Sequence, residues 1–138
     1  MEIKIHIDCE FSNSPPVCEF SSMHNKVTKT LQHSNIISLD FDLQSHDNLQ
    51  INFINKDDYD DNVVRIKKIF VDDINLQHFI YNGVFSPIYN KDWFDKQNPK
   101  PPLQYSPCTE LRHQGIWNIQ INLPIWNMVM KEWLNDTK

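Results

Sequence analysis

Four carboxylates within five positions are the residues of this sequence best suited to chemistry. Asp57, Asp58, Asp60 and Asp61 surround Tyr59 in a short segment between two strand-like stretches. Such a dense set of negative charges repels itself unless water or a cation neutralises it, and Ca²⁺ prefers oxygen ligands of this kind. The segment therefore predicts a calcium site formed by these four aspartates. The alternative is a solvated hairpin loop whose acidic residues keep one end of a sheet soluble.

A second set of candidate binding residues lies in the proline-rich stretch of residues 86–107. Together with Tyr59, its four aromatic residues are predicted to bind a glycan or a protein partner: Tyr89, Trp93, Phe94 and Tyr105. Exposed aromatic rings bind both sugars and proteins because they combine apolar area with a polar edge. A loop of this length is either a packed lid or a binding face. We expect Trp93 and Tyr105 to contribute to partner binding more than to stability.

Catalytic arrangements have little support in the sequence. None of the six histidines has the spacing of a zinc site, so each is expected at the surface or in a turn: His6, His24, His33, His46, His78 and His113. Two isolated glycines cannot form a nucleophile elbow or a phosphate-binding glycine loop. Glu10, Glu19 and Glu110 could each join an aspartate as a glycosidase pair, but the sequence does not place them at the required separation. We therefore predict that the protein is not an enzyme, with a glycan hydrolase as a distant alternative.

Length, charge and hydropathy limit the classes of partner. A chain of 138 residues fits one domain, which we place at residues 1–138. The net charge of −5 argues against nucleic acid as the main partner, because binding a phosphate backbone requires a basic surface. The sequence has no apolar run long enough for a membrane span, and its first residues alternate instead of forming a signal peptide. We therefore expect neither export nor membrane insertion.

Alternation of apolar and polar residues predicts most of the strands. The apolar residues expected to face the core are Ile3, Ile5, Leu39, Phe41, Ile51, Phe53, Ile66, Ile69, Ile119 and Ile121. A change of phase at Lys67-Lys68 predicts a β-bulge, and Asn82-Gly83 predicts a type I′ hairpin turn. Pro124 is positioned to open a short C-terminal helix. This pattern predicts an all-β fold, an antiparallel β-sandwich of jelly-roll type, with at most that one helix.

The three cysteines give no metal-binding pattern. Cys9, Cys18 and Cys108 are odd in number and lack the spacing of a zinc site. Free thiols are expected in a reducing compartment. A Cys9–Cys18 bridge across a turn at Pro15-Pro16 is the alternative.

Residues 53–76 resemble the signature of calcium-dependent carbohydrate-binding modules of the xylan-binding type. In that signature a strand end F-x-N-D is followed by an acidic loop, a strand start of type D-R-N-L and a turn I-x-V-N-G. The corresponding stretches here are residues 53–57, 61–65 and 69–73, with Lys56 inserted before Asp57 and Asp72-Asp73 in place of Asn-Gly. The resemblance implies a β-sandwich that binds glycan, with calcium at the acidic loop.

A wider pattern is similar to small β-sandwich proteins of tailed bacteriophages, especially marine ones. The shared features are G-V-x-x-P-x-Y, a tryptophan with a nearby glutamine and prolines, and G-x-W with a proline and a tryptophan beyond it. In this chain they are residues 83–89, Trp93, Gln97, Pro101, residues 115–117, Pro124 and Trp126. The resemblance implies a non-catalytic sandwich carried by a virion.

Two functions follow from these observations. We predict a virion-associated structural or decoration protein, synthesised in the host cytoplasm, that docks onto capsid or tail subunits through the long aromatic loop. The alternative is an adhesion module that holds a host surface glycan through the acidic loop, with or without Ca²⁺, and through exposed aromatic residues.

Overall fold

Strands form where apolar and polar residues alternate, and they assemble into two sheets around one core. The computed structural model describes residues 2–42, 47–76 and 79–121. Within these ranges the strands are β1 (Glu2–Glu10), β2 (Val17–Ser21), β3 (Lys26–Thr30), β4 (Ser34–Asp40), β5 (Asp47–Phe53), β6 (Val63–Val71), β7 (Ile74–Asn75), β8 (Val84–Pro87), β9 (Glu110–Leu111) and β10 (Gly115–Ile121). The helical elements are a 3-10 turn at Phe79–Asn82 and a short helix α1 (Lys91–Asp95).

The two sheets are connected in the manner of a jelly roll. The first sheet has the order β4-β1-β6-β7, with β9 also paired to β6, and the second has the order β3-β2-β5-β10-β8. The pairings between described strands are antiparallel, and the chain crosses from one sheet to the other after β1, β3, β4, β5, β7, β8 and β9. The predicted all-β sandwich is therefore confirmed.

The core consists of the residues that the alternation selects. All ten residues predicted to face inward are buried, and none is more than 4% exposed. Trp117 of β10 is fully buried, and its Nε1 donates a hydrogen bond to the Cys108 carbonyl oxygen at 2.8 Å. Gly83 lies against this indole, where a Cβ would come within 2.2 Å of the ring. The largest core side chain is thus fixed by both packing and a hydrogen bond.

The predicted β-bulge is present in β6. His6 pairs with Lys68 and Ile7 pairs with Ile66, so Lys67 is the additional residue on β6. Because the bulge shifts the phase by one residue, Ile66 and the residue three positions later, Ile69, both face the core.

The prediction of a type I′ hairpin turn at Asn82-Gly83 is wrong. Asn82 closes a 3-10 turn, and Gly83 is required for close approach to Trp117 instead of for a positive φ. The two consecutive positive-φ residues are Asp72 at 47° and Asp73 at 65°, which join β6 to β7. Aspartate tolerates this conformation because its short polar side chain can hydrogen-bond locally.

β2 and β3 are not predicted by the sequence pattern. β2 contributes two core residues, Cys18 and Phe20, and β3 is an edge strand with mostly exposed side chains. The turn between them is stabilised by a residue that is distant in sequence, because the buried carboxylate of Asp47 accepts the Met23 backbone N–H at 3.0 Å. So short an apolar pattern leaves little periodic signal.

Cys9 and Cys18 face the core as free thiols. Burial raises the pKa of the Cys9 thiol to about 12, and burial raises the pKa of Cys18 as well. Both side chains are therefore protonated and behave as small apolar groups at neutral pH.

The predicted C-terminal helix that begins at Pro124 lies outside the described residues. Among the residues that are described, helices are too short and too polar to cross a bilayer.

Candidate functional site

Three segments leave the second sheet side by side, where β5 and β8 end and β10 begins. Gly115, the first residue of β10, lies opposite Phe53 of β5 and opposite Pro87 of β8. The residues that follow β5, those that follow β8 and those that precede β10 therefore emerge side by side. Gly115 has a φ of 153°, and a Cβ there would meet the Ser86 carbonyl oxygen at 2.4 Å, so glycine is required at this junction.

Asp58 joins these three segments. Its side chain is 3% exposed, and its Oδ1 lies 2.8 Å from Nδ1 of His113, just before β10. Its Oδ2 accepts the backbone N–H of Asn90, in the segment after β8, at 2.6 Å. Since both carboxylate oxygens are engaged, Asp58 is a positioning residue of the site.

The segment after β8 contains a short helix and a cluster of packed aromatic rings. Asn90 begins α1 as its N-cap, and its Oδ1 accepts the Trp93 backbone N–H at 3.1 Å. The helix places the rings of Trp93 and Phe94 against Tyr89, with centroids 5.6 Å and 5.3 Å away. His113 meets the Tyr89 ring edge-on at 4.8 Å. Of the two alternatives for this stretch, packing against the protein therefore describes most of its aromatic residues.

Tyr105 supports this cluster from behind. Its backbone exchanges two hydrogen bonds with Phe85, at 3.0 Å and 2.8 Å, and its ring packs against the core. Its hydroxyl lies 3.3 Å from that of Tyr89, which in turn donates to the Pro102 carbonyl oxygen at 2.5 Å. Burial raises the pKa of Tyr89, and the hydrogen bond with Tyr105 adds to this rise. Tyr89 is therefore a neutral, fixed ring.

A cavity of about 370 Å³ opens between the acidic loop and the segment after β8, and we call it the edge groove. It is lined by Lys56, Asp57, Asp58, Ile88, Tyr89, Asn90 and Gln114. Ile88 is 56% exposed and adds an apolar patch. Of the aromatic residues predicted to bind a partner, Tyr89 lines the groove, Trp93 and Phe94 hold Tyr89, and Tyr59 is exposed elsewhere on the acidic loop.

A buried lysine lies inside the acidic loop. The Lys56 side chain is 2% exposed, and its Nζ contacts Asp60 Oδ1 at 2.6 Å. The same nitrogen donates to the Asp60 carbonyl oxygen at 2.9 Å and to the carbonyl oxygen of Asp57. Partial burial raises the pKa of Asp60, but the hydrogen bonds from Lys56 and from the backbone N–H groups of Asn62 and Asp57 outweigh it, so the pKa lies below its usual range.

The four aspartates predicted to bind calcium do not converge. Asp58 faces His113 and Asp60 faces Lys56, while Asp57 Oδ1 accepts the Tyr59 backbone N–H at 2.9 Å and Asp61 is exposed. Within residues 2–42, 47–76 and 79–121, the structure contains no group of three or more acidic, histidine or cysteine side chains arranged to hold a metal ion. In this arrangement the loop does not fit a calcium ion, because the oxygens at its centre already bind an ammonium group.

The candidate glycosidase carboxylates are held in ion pairs. Glu10 and Glu110 both bind Arg65, at 2.8 Å and 3.0 Å, and Arg112 also contacts Glu110 at 3.0 Å. The hydrogen bond from Arg65 lowers the pKa of Glu110, with a further contribution from Arg112. A general acid needs the opposite shift, so Glu110 does not suit that role in glycoside hydrolysis.

Sequence reasoning missed His113, Gln114, Asn90 and Ile88 as site residues. His113, expected at the surface or in a turn, lies in a bend before β10, where its side chain is 15% exposed between Asp58 and the aromatic rings. The available signal is indirect: these residues directly precede β10 or follow β8. The pairing of Gly115 with both neighbouring strands and the contacts of Asp58 bring them together.

Comparison with known proteins identifies the fold. No family model and no curated protein sequence matches this chain. A solved structure of vCBM60 in complex with galactobiose superposes with a TM-score of 0.60 at 13% identity, over 88% of this chain and 100% of that chain. A SeMet form of vCBM60, from a study of calcium-dependent carbohydrate-binding modules, superposes with a TM-score of 0.58 at 13% identity, over 86% and 88% of the two chains. At this identity the likeness shows that the chain has the β-sandwich fold of those modules.

Proposed function

We propose that this chain is a non-catalytic carbohydrate-binding module and that its glycan binds in the edge groove. The observation that carries the proposal is the composition of that groove: a fixed tyrosine ring beside amide and carboxylate groups, at the edge where three segments of the second sheet meet. Its fold is that of modules that bind carbohydrate, one of which is solved with galactobiose.

The chemistry of the edge groove suits a sugar ring. The Tyr89 ring adds aromatic surface to the groove lining for the C–H groups of a sugar, and its packing against Trp93 and His113 reduces the entropy lost on binding. The side chains of Asp57, Asn90 and Gln114 supply acceptors and donors for sugar hydroxyls. A few directed polar groups beside an apolar surface are typical of small-ligand sites.

Titration with galactobiose and with xylan oligosaccharides tests the proposal. Gln114→Ala removes one amide from the edge groove, and Gln120→Ala removes the same group from an exposed position on β10 outside it. We expect the first change to weaken binding by about tenfold, the loss of one well-placed hydrogen bond, and the second to leave it unchanged. Equal affinities for the two variants, or no binding of either probe by the wild-type protein, would contradict the proposal.

A virion location and docking to capsid or tail subunits remain predictions from the sequence resemblance of residues 83–126. They are compatible with glycan binding, because an adhesion module can be carried on a particle. Mass spectrometry of purified particles tests them: stoichiometric copy number supports a virion component, and absence removes it.

A further inference from the structure

The ammonium group of Lys56 is enclosed by oxygens at the centre of the acidic loop. It has one carboxylate oxygen and two carbonyl oxygens as partners, from Asp60 and Asp57. A lysine ammonium has three donors, so this set satisfies it completely. With a side chain that is 2% exposed, the group is shielded from solvent and cannot act as a surface charge.

The oxygens around Lys56 are the kind of ligands that a hard cation uses. Backbone carbonyls and aspartate carboxylates form most calcium sites. An ammonium group and a calcium ion cannot share the same oxygens, since they would occupy the same space and repel each other. The positive charge that neutralises the acidic loop is therefore supplied by Lys56, a residue of the chain itself.

The remaining carboxylates do not form a substitute site. Asp58 is committed to His113 and to the Asn90 backbone N–H. Asp57 and Asp61 are exposed, and two solvated carboxylates provide too few ligands for a calcium ion, which takes about six to eight oxygens.

We propose that Lys56 replaces calcium as the cation of the acidic loop, so that the loop folds and the edge groove binds glycan without a metal ion. The solved neighbours with this fold come from calcium-dependent modules, so the inference separates this chain from them in its metal requirement. The part that concerns glycan binding rests on the function proposed above; the part that concerns the loop stands on the contacts of Lys56 alone.

Thermal unfolding of the wild-type protein, with millimolar calcium and with chelator, is the first test. A ligand that binds only the native loop would raise the melting temperature, so an unchanged midpoint is expected. A midpoint that rises by several degrees with calcium would overturn the inference. This measurement requires no variant and is independent of the glycan.

The second test removes the ammonium. Lys56→Met keeps the unbranched apolar stem of the side chain and removes the ammonium, and we expect its melting temperature to fall by several degrees because the carboxylate of Asp60 and two carbonyls lose their partner. Lys67→Met, at the exposed bulge position of β6, is the matched control and should be unchanged. Equal melting temperatures for the two variants would overturn the inference. If Lys56→Met fails to fold while Lys67→Met folds, the requirement for the ammonium is supported.

Glycan titration in chelator separates this inference from the proposed function. Equal affinity with and without calcium supports both. Binding that requires calcium overturns the inference and leaves the function in place. If the wild-type protein binds no glycan in either condition and its melting temperature does not change with calcium, the proposed glycan-binding function is contradicted. The role of Lys56 in the loop is then supported.

Discussion

Two polar surfaces beside the second sheet are similar in size but differ in how their groups are held. The edge groove encloses about 370 Å³. A cavity of about 360 Å³ lies on the outward face of the same sheet and is lined by uncharged residues: Asn48, Asn82, Val84, Ser86, Gln104, Asn118 and Gln120. We call this second surface the amide face. Cross-strand pairing places Gln120 opposite Asn48 and leaves the amide face without an aromatic ring among its lining residues.

The difference lies in preorganisation. In the edge groove Asp58 fixes His113 and Asn90, and stacked rings fix Tyr89. On the amide face, Asn118 has a buried Oδ1 without a hydrogen-bond partner among the described residues. Groups that are already held lose little entropy when a ligand binds, so cavities of equal volume need not be equal sites. If this contrast decides where glycan binds, changes in the edge groove should lower affinity more than changes on the amide face.

The largest effect is expected from Asp58→Ala. The change leaves His113 and the Asn90 backbone N–H without their buried acceptor, which costs about 2–4 kcal/mol of unfolding free energy. Because the segments around the edge groove then separate, glycan affinity should also fall. Chemical denaturation and titration measure the two effects; intact affinity in the folded variant would show that the groove does not need this anchor.

Trp93→Ala and Tyr105→Ala should separate binding from packing. The Tyr105 ring packs against the core, so its loss should cost about 2 kcal/mol of unfolding free energy, whereas Trp93 holds the Tyr89 ring and its loss should mainly weaken glycan binding. We compare melting temperature and affinity for each variant. The contrast between the two roles is lost if both variants change the same property.

Acid should weaken the acidic loop through Asp60. Its pKa in the folded protein lies below the unfolded value of about 3.9, so its contribution to stability is complete above that pH and is lost as pH falls through the folded pKa. Asp60→Asn should be less stable at neutral pH and show a flatter decline below pH of about 4. Melting temperatures across that range are the measurement; parallel curves for the two proteins would remove Asp60 from the acid response.

The smallest effect is expected from Asn118→Ala on the amide face. Its Oδ1 contributes no hydrogen bond within the described residues, so removing it should change unfolding free energy by less than about 0.5 kcal/mol and leave glycan affinity unchanged. A tenfold loss of affinity in this variant would show that glycan binds at the amide face and not in the edge groove.

The sequence predicts the sandwich well because its core residues follow a local period of two. Ile3, Phe53 and Ile119 can be assigned inward from their neighbours alone, and the extra residue at Lys67 is visible as a change of phase. The turn is harder. Asn82-Gly83 has the stronger intrinsic preference, but Gly83 is needed beside Trp117, and this demand comes from β10, a neighbouring strand that is distant in sequence.

The site depends on contacts that no local pattern contains. His113 joins it because Gly115 pairs with two strands that are distant in sequence. Lys56 is visible in the sequence as an insertion into the acidic segment, but whether its side chain turns inward or outward depends on the carbonyls of Asp57 and Asp60. Four adjacent aspartates indicate a cation, and the sequence does not indicate that a lysine supplies it.

The glycine at the start of β10 has a consequence for how this surface can be changed. Gly115 fixes the point where the chain segments diverge, because a side chain there would collide with Ser86 and Pro87. Beyond that point, one backbone hydrogen bond, from the Ile88 N–H to the Gln114 carbonyl oxygen, and the side chain of Asp58 hold the segments together. New sequences grafted after Pro87 and before Gly115 can therefore change ligand preference while the packed sheets behind them stay unaltered. The requirement is that position 115 remains a glycine.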